Sequence, residues 1–482
     1  MKKESVFTNL IWRFLERCGA QGVTLVVSIV LARLLNPDAY GLVALVTVFT
    51  TIMQVFVDSG LGNALIQKKE ADDLDFSTVF FFNIAICCVL YMVMFFSAPA
   101  IASFYNQPEL IPVIRVLSII IIISGIKNVQ QSYVSRNMLF KRFFFSTLGG
   151  TICAAIAGIV MAYLGFGVWA LVAQMLFNAA IDTSILWITV KWRPKKMFSF
   201  ERLKGLFSFG WKILLSSLLD AVYNDLRQLI IGKKYTKEEL AFYNQGKKYP
   251  QFFVTNINTS IDSVLLPAMS AEQDNKERIM LMTRRSVKIS TYIMMPLMVG
   301  LAVVAKSVVV LLLTEKWLPC VMFLRIFCFS FAFYPIHTAN LNAIKALGRS
   351  DLFLKLEIVK KIVGIVAILS TMWISVEAMA YSVLVTTIIN QIINAWPNKK
   401  LLNYSYLQQV KDMIPQMSLS IFMGVVVYII QLIGLRPVIT LIIQVVAGCI
   451  LYIGGSVIFK IDSFLYLIEI IMGFIKKKEV AK

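Results

Sequence analysis

The stretch STVFFFNIAICCVLYMVMFFSA, residues 77–98, decides the fold. It holds no acidic or basic residue over its 22 positions. A helix rising about 1.5 Å per residue crosses a hydrocarbon core of about 30 Å in roughly 20 residues. Runs of similar length and character recur along the whole chain. The 482 residues are 58% hydrophobic and only 15% charged, with a mean hydropathy of +0.76. A soluble chain carries about 25% charged residues. The expected fold is therefore an all-α membrane protein with about fourteen transmembrane helices and no soluble domain left over.

The expected spans are 11–33, 40–64, 77–98, 109–131, 143–164, 166–190, 207–231, 240–268, 287–313, 319–343, 358–375, 377–396, 413–433 and 437–459. The basic residues set their orientation. The runs Lys191 to Lys204, Lys276 to Lys288 and Lys345 to Lys361 all lie on one side if the N-terminus is cytoplasmic. The loop with Lys233, Lys234 and Lys237 is the main exception. An even number of spans places the C-terminus, with Lys476, Lys477 and Lys478, in the cytoplasm too. Residues 461–475 carry apolar positions at helical spacing, which suits an interfacial helix. Met1, Lys2 and Lys3 resemble the start of a secretory signal. The next span, however, contains Arg13, Glu16 and Arg17 and has no small-residue cleavage site, so it reads as the first membrane helix.

Composition also excludes several functions. A net charge of +20 on a soluble chain would suggest nucleic acid. Here the basic residues occupy short loops between apolar spans, so water and anionic headgroups are their expected partners, with no nucleic acid. The seven cysteines lie in or beside spans without metal-like spacing, and His337 is the sole histidine. That inventory cannot build a zinc site, so no metal and no cofactor are expected. His337, beside Pro335, reads as a packing residue.

The two halves resemble each other at an offset near 200 residues. Trp12-Arg13 matches Trp211-Lys212, Tyr40 matches Tyr243, and Asp58-Ser59 matches Asp262-Ser263. Arg115 matches Arg325, and Ala170 matches Ala378. The repeat unit is six helices, so both halves start on the same side. Such parallel repeats place a site between lobes. The expected lobes are 1–200 and 201–400, followed at 401–482 by two extra transmembrane helices and a cytoplasmic tail.

Polar residues inside spans cost free energy unless they face protein or water. The first span carries Arg13, Arg17, Gln21, Thr24 and Ser28 at steps that keep one helical face. The seventh carries Lys212, Ser216, Asp220, Tyr223 and Arg227. The eighth carries Asn244, Lys248, Gln251, Thr255, Asn258 and Asp262, and the second carries Thr47, Thr51, Gln54 and Asp58. These are the first two helices of each repeat, and a shared cavity is expected. Its cations are Arg13, Arg17, Lys212, Arg227, Lys247 and Lys248. They outnumber Glu16, Asp58, Asp220, Asp225 and Asp262, the candidate charge partners or ion-coupling groups. Arginine forks match phosphate oxygens, so the surplus suits an anionic substrate. Snorkelling to headgroups is the competing role for Arg13 and Lys212, which lie near span ends. A structural or interfacial role is expected for Arg115 and Arg325, which lie near the outer ends of their spans, and none is assigned to Lys127.

Several stretches carry a family resemblance. They are Leu31-Ala-Arg-Leu-Leu-Asn-Pro-Asp-Ala-Tyr-Gly41, Gly165-Phe-Gly-Val-Trp-Ala-Leu171 and Tyr223-Asn-Asp-Leu-Arg-Gln228. The region from Pro335-Ile-His-Thr-Ala-Asn340 through Gly348-Arg-Ser-Asp351 completes the set. Together they resemble the Wzx-type polysaccharide flippases of the WzxC/TuaB-like branch, over nearly the whole chain. The resemblance implies membership of the MOP exporter superfamily, with two six-helix lobes, two extra helices and alternating access. It implies a substrate too: oligosaccharide repeat units on undecaprenyl pyrophosphate, moved from the cytoplasmic to the outer leaflet during polysaccharide biosynthesis. Cavity-facing cations of the first helix pairs then hold the diphosphate, with Arg13, Arg17, Lys212 and Arg227 the best counterparts. The thirteenth and fourteenth spans are candidates for a tail groove. The expected location is the cell (cytoplasmic or inner) membrane, with membrane lipids and a polysaccharide polymerase as further partners.

Three rivals remain at this level. A multidrug exporter of the same superfamily usually handles cations, which a cationic cavity disfavours. A lipid II flippase differs mainly at the branch level. A polytopic glycosyltransferase or polymerase commonly carries a large outer loop with catalytic groups, whereas every outer loop here is short. The chain therefore reads as a membrane transporter rather than an enzyme.

Overall fold

The computed structural model describes residues 3–58, 61–68, 70–469 and 472, with side chains placed except at 3–11, 13–18, 58, 63, 67, 209, 212 and 263. The described residues contain no strand. The chain forms two compact units, Met1–Ala241 and Phe242–Lys482.

The first unit holds α1 (Lys3–Leu34), α2 (Pro37–Asp58), α3 (Leu61–Gln67), α4 (Asp73–Tyr105), α5 (Leu110–Leu117) and α6 (Ile119–Arg136). It continues with α7 (Phe140–Tyr163), α8 (Val168–Thr189), α9 (Phe200–Lys234) and the first turn of α10 (Lys237–Ser270). The rest of α10 opens the second unit. There follow α11 (Lys276–Leu313), α12 (Cys320–Phe331), α13 (Tyr334–Ala346), α14 (Ser350–Thr371) and α15 (Val376–Leu402). The last two are α16 (Tyr406–Gln431) and α17 (Pro437–Ile458).

Each expected span coincides with one helix or one broken helix. The second span is divided into α2 and α3, the fourth into α5 and α6 at Ser118, and the tenth into α12 and α13. The last break precedes Pro335, whose ring removes a backbone donor in the first turn of α13. Among the described residues, ten helices are long and apolar enough to cross a membrane, or eleven if the bent α9 counts as one span. The protein is thus a multi-pass membrane protein. Its lipid-facing surface is visible on α4, α8, α15 and α17, where Phe96, Ile188, Trp396 and Ile458 are more than two-thirds exposed. Residues 462–469 are helical, where the interfacial helix was expected to start.

Small residues draw helices together inside the first unit. A Cβ on Gly150 of α7 would lie 2.9 Å from Asp182 Cβ on α8, and one on Gly158 would lie 3.0 Å from Gln174 Cβ. These positions, two turns apart on each helix, let the backbones approach as small residues do in membrane bundles. At the start of α4, Asp72 and Asp75 form a capping box, and Asp75 also takes Lys68 at 2.6 Å. The start of α2 meets the start of α10 so closely that a Cβ on Gly41 would sit 2.0 Å from the Lys237 carbonyl oxygen. Beside that contact, the neighbouring Asp38 carboxylate raises the Glu238 carboxyl above its ordinary range.

The halves repeat one structural device. Arg115 on α5 donates from Nε to the Phe95 carbonyl of α4 at 3.4 Å. Arg325 on α12 donates likewise to the Ala302 carbonyl of α11 at 3.1 Å. Each arginine ties a broken span to the long helix before it, the structural role its position suggested. In the second unit, the Tyr292 hydroxyl donates to Ser456 at 3.0 Å and the Tyr452 hydroxyl to the Tyr292 carbonyl at 2.8 Å. These bonds lock α17 onto α11.

Candidate functional site

The polar stripe on α9 begins from a firm anchor. Ser199 caps the helix by accepting the Arg202 amide at 3.3 Å. From Lys212 to Arg227 the stripe extends about 22 Å along the axis. Ser216 and Asp220 are exposed, whereas Tyr223, Asp225 and Arg227 are half-buried. Asp225 accepts from Gln228 Nε2 at 3.0 Å. Further along, Ile231 and Gly232 are buried, and a Cβ on Gly232 would meet Leu45 at 2.2 Å. The helix is therefore open at its start and packed at its end.

The stripe on α10 runs the other way. Tyr243 packs edge-on against Phe323 and Phe327, at 5.8 and 5.2 Å between centroids. A Cβ on Gly246 would fall 2.6 Å from Phe323 Cβ, so α10 lies flush on α12 there. Gln245 donates to the Tyr249 hydroxyl at 3.1 Å within this packed half. Lys247 and Lys248 are half-buried at its edge. Beyond Pro250, the side chains of Gln251, Thr255 and Asp262 are exposed. Asp262 lies about 21 Å along the helix from Lys248, too far for an ion pair within α10.

Helices α1 and α2 follow the same pattern. Thr24 is exposed, and Ser28, one turn later, is buried and donates to the Leu25 carbonyl at 2.9 Å. On α2, Thr51 is exposed and Gln54 half-buried, after a tightly buried first half. The side chains of Arg13, Glu16, Arg17, Asp58 and Lys212 lie outside the described residues, although α1, α2 and α9 carry their backbones. On α9 the stripe is open toward the start of the helix and packed at its end, and on α10 it is packed at the start and open at the end.

One buried ion pair escaped the sequence reading. Lys127 Nζ on α6 lies 2.5 Å from Asp182 Oδ2 on α8, with the Asp182 side chain only 8% exposed. Its counterpart in the second unit is neutral. His337 Nδ1 sits 3.0 Å from Asn394 Nδ2, at positions 210 and 212 residues further along. His337 also packs edge-on against Tyr334 at 5.8 Å, as a packing residue would. The repeat offset was the available signal, since Lys127 shifted by 210 lands on His337.

Comparison with known proteins now bears on this architecture. Residues 30–322 match a family described as polysaccharide biosynthesis protein. The teichuronic acid biosynthesis protein TuaB of Bacillus subtilis (strain 168) is 25% identical over 417 residues, 84% of this chain and 85% of that protein. The lipopolysaccharide biosynthesis protein WzxC of Escherichia coli (strain K12) is 23% identical over 440 residues, 88% of each. The succinoglycan biosynthesis transport protein ExoT of Rhizobium meliloti (strain 1021) is 23% identical over 314 residues, 65% of this chain and 64% of that protein, so this match spans less than two thirds of ExoT. The lipid II flippase MurJ in an inward closed conformation shares the fold, with a TM-score of 0.75 at 17% identity over 95% of this chain and 99% of that one. An inward-facing multidrug resistance MATE transporter of the MOP superfamily shares it at 0.62 and 15% identity, over 82% of this chain and 95% of that one. The chain belongs to the polysaccharide biosynthesis protein family, built on the fold of the MOP-superfamily transporters.

Proposed function

We propose that this protein is a flippase. It moves oligosaccharide repeat units on undecaprenyl pyrophosphate from the cytoplasmic to the outer leaflet of the cell membrane, by alternating access. The observation that carries this reading is the family match together with ionisable stripes on α1, α9 and α10. Such stripes are costly in a membrane unless they meet a polar cargo. In the proposed role, Arg13, Arg17, Lys212, Arg227, Lys247 and Lys248 hold the diphosphate. Arginine binds its oxygens in a fork and lysine supplies a mobile charge. Glu16, Asp58, Asp220, Asp225 and Asp262 limit that positive charge or exchange ions with it. The working lobes are 1–200 and 201–400, with 401–482 appended.

No bond is made or broken in this role, so the chain acts as a transporter rather than an enzyme. Both termini face the cytoplasm, where the open ends of the stripes meet newly made lipid-linked units. The names of TuaB, WzxC and ExoT point to an exported polysaccharide, with a polymerase as the consumer on the outer face. Lipid II is the nearest rival cargo, because MurJ shares the fold.

The test uses proteoliposomes loaded with labelled lipid-linked oligosaccharide, lipid II or a cationic drug in separate arms. Protein-dependent loss of the oligosaccharide lipid from one leaflet is expected. Movement of lipid II or drug alone, or equal rates in empty liposomes, would sink the proposal.

A further inference from the structure

The second unit carries two adjoining cavities at the end where α11 starts and α17 finishes. They enclose about 650 and 530 Å³ and share Lys288 and Asp462 in their walls. Neither touches the polar stripe of α10. The larger is lined by Lys411 and Lys460 together with the apolar Pro415, Leu419, Phe422 and Phe459. Arg284, Arg285 and Tyr466 line the smaller one.

The carboxylates here are already engaged. Asp412 receives Arg284 through a bidentate fork, both contacts at 2.7 Å, and the Tyr404 hydroxyl at 2.9 Å. Lys288 lies 3.0 Å from Asp462 and 3.7 Å from Asp412. Arg285 stacks over the Tyr466 ring at 3.8 Å. Among the described residues, Lys411 and Lys460 form no salt bridge, and both are exposed. Five cations, Arg284, Arg285, Lys288, Lys411 and Lys460, thus face two carboxylates, and the surplus lies toward Lys411 and Lys460.

Part of the remaining lining is apolar and exposed. Phe422 is 57% exposed, on a helix apolar enough to cross a membrane, and Phe459, which caps the end of another such helix, is 72% exposed. Ile414, Ile421 and Ile458 continue that surface. A small free anion would satisfy the lysines but leave this apolar lining bare. A zwitterionic lipid brings its own cation to a site already rich in them. An amphiphile with an anionic head and acyl chains matches both the lysines and the apolar lining, as basic pockets between membrane helices do.

We propose that this cavity binds an anionic phospholipid, its phosphodiester held by Lys411 and Lys460 and an acyl chain laid along Phe422 and Phe459. Such a lipid clasps the first half of α16 to the end of α17 and to the helix at 462–469. It is a site separate from the stripes assigned to cargo.

The test uses the purified full-length chain in detergent, with retained lipid read by native mass spectrometry and melting temperature read in parallel. The probes are phosphatidylglycerol, phosphatidylcholine, glycerol 3-phosphate and undecaprenyl diphosphate. The wild type should retain phosphatidylglycerol over phosphatidylcholine by about tenfold to thirtyfold, as two lysines at a charged headgroup supply. Lys411→Gln/Lys460→Gln should abolish that preference, while Lys411→Arg/Lys460→Arg and Lys399→Gln/Lys400→Gln keep it. Should the double glutamine variant fail to melt cooperatively in phosphatidylcholine, Lys460→Gln alone should still reduce the preference severalfold. Equal retention of the two lipids by the wild type, or unchanged preference in the folded glutamine variants, overturns the proposal. So does displacement of phosphatidylglycerol by glycerol 3-phosphate, which marks a small-anion site. Displacement by undecaprenyl diphosphate overturns it as well, marking a cargo-lipid site.

Discussion

Neutralising one partner of the Lys127–Asp182 pair should harm the protein far more than neutralising both. The pair is 2.5 Å long, with side chains 21% and 8% exposed. Gly150 lets α7 pack directly against Asp182, where a Cβ would lie 2.9 Å from the Asp182 Cβ. Asp182→Asn strands a lysine charge inside the first unit, and Lys127→Gln strands a carboxylate. Removing one partner of a buried pair costs about 3–5 kcal/mol, whereas replacing both by neutral groups is often close to neutral. The exposure of Lys127 argues for the lower end, about 3 kcal/mol for each single change. The double variant should recover to within about 1–2 kcal/mol of wild type, giving a coupling energy of several kcal/mol. The second unit already carries the neutral arrangement in His337 and Asn394. The assay is equilibrium unfolding in mixed micelles, followed by tryptophan fluorescence, across the four members of the cycle. Single variants within about 1 kcal/mol of wild type, or a double variant equal to the sum of the singles, would refute the reasoning.

Arg17→Ala and Arg227→Ala should each strongly reduce polymer export while the protein still inserts, each losing a charge-assisted contact of about 1.5–3 kcal/mol. Lysine at either position should rescue in part, because it lacks the planar fork, and normal export from both alanine variants would mark the arginines as structural. Single cysteines at Met197→Cys and Leu281→Cys, in a background without native cysteines, should resist an impermeant thiol reagent in whole cells, whereas Thr236→Cys should be labelled. Labelling at 197 would reverse the proposed orientation. Two negative charges leaving an inside-negative cell gain as much as ~4–5 kcal/mol at 100 mV, so a potassium diffusion potential alone should drive turnover in proteoliposomes. Turnover that ignores the potential, follows a pH gradient and disappears in Asp58→Asn or Asp262→Asn would assign the coupling to a proton instead.

Much of the fold was legible because hydrocarbon imposes a single length on every span. The apolar run at 77–98 sits inside α4, and the other spans overlap their helices or broken helices, some overrunning an end, as 358–375 does against Ser350–Thr371. What periodicity did not supply were the breaks and the ends. Ser118 interrupts a stretch that is apolar on both sides, so no change of hydropathy announces it. α10 runs from Lys237 to Ser270, beyond the expected 240–268, because a helix ends at its caps rather than where hydrocarbon ends. The Asp72 and Asp75 box shows the same thing at α4, which begins several residues before its apolar run.

The site was legible to the extent that its residues repeat along one helix. Steps of three and four reveal a face without knowledge of any neighbour, and that is how the stripes on α9 and α10 emerged. The Lys127–Asp182 pair joins positions 55 apart on two helices, and no local spacing encodes it. The same logic separates the helices proposed to meet cargo from merely charged ones. Besides the ten helices apolar enough to cross alone, the long ones left are α1, α9, α10 and α14. On α14 the charges lie in the first half, as Asp351, Lys355, Glu357, Lys360 and Lys361, and Lys360 meets Glu357 one turn away at 2.6 Å. A cluster at one end can pair locally and reach the headgroups. On α9 and α10 the ionisable groups are strung along the helix, from Lys212 to Arg227 and from Lys247 to Asp262. Charge spread through the membrane's depth, rather than charge as such, is the physical mark of a path for a polar headgroup.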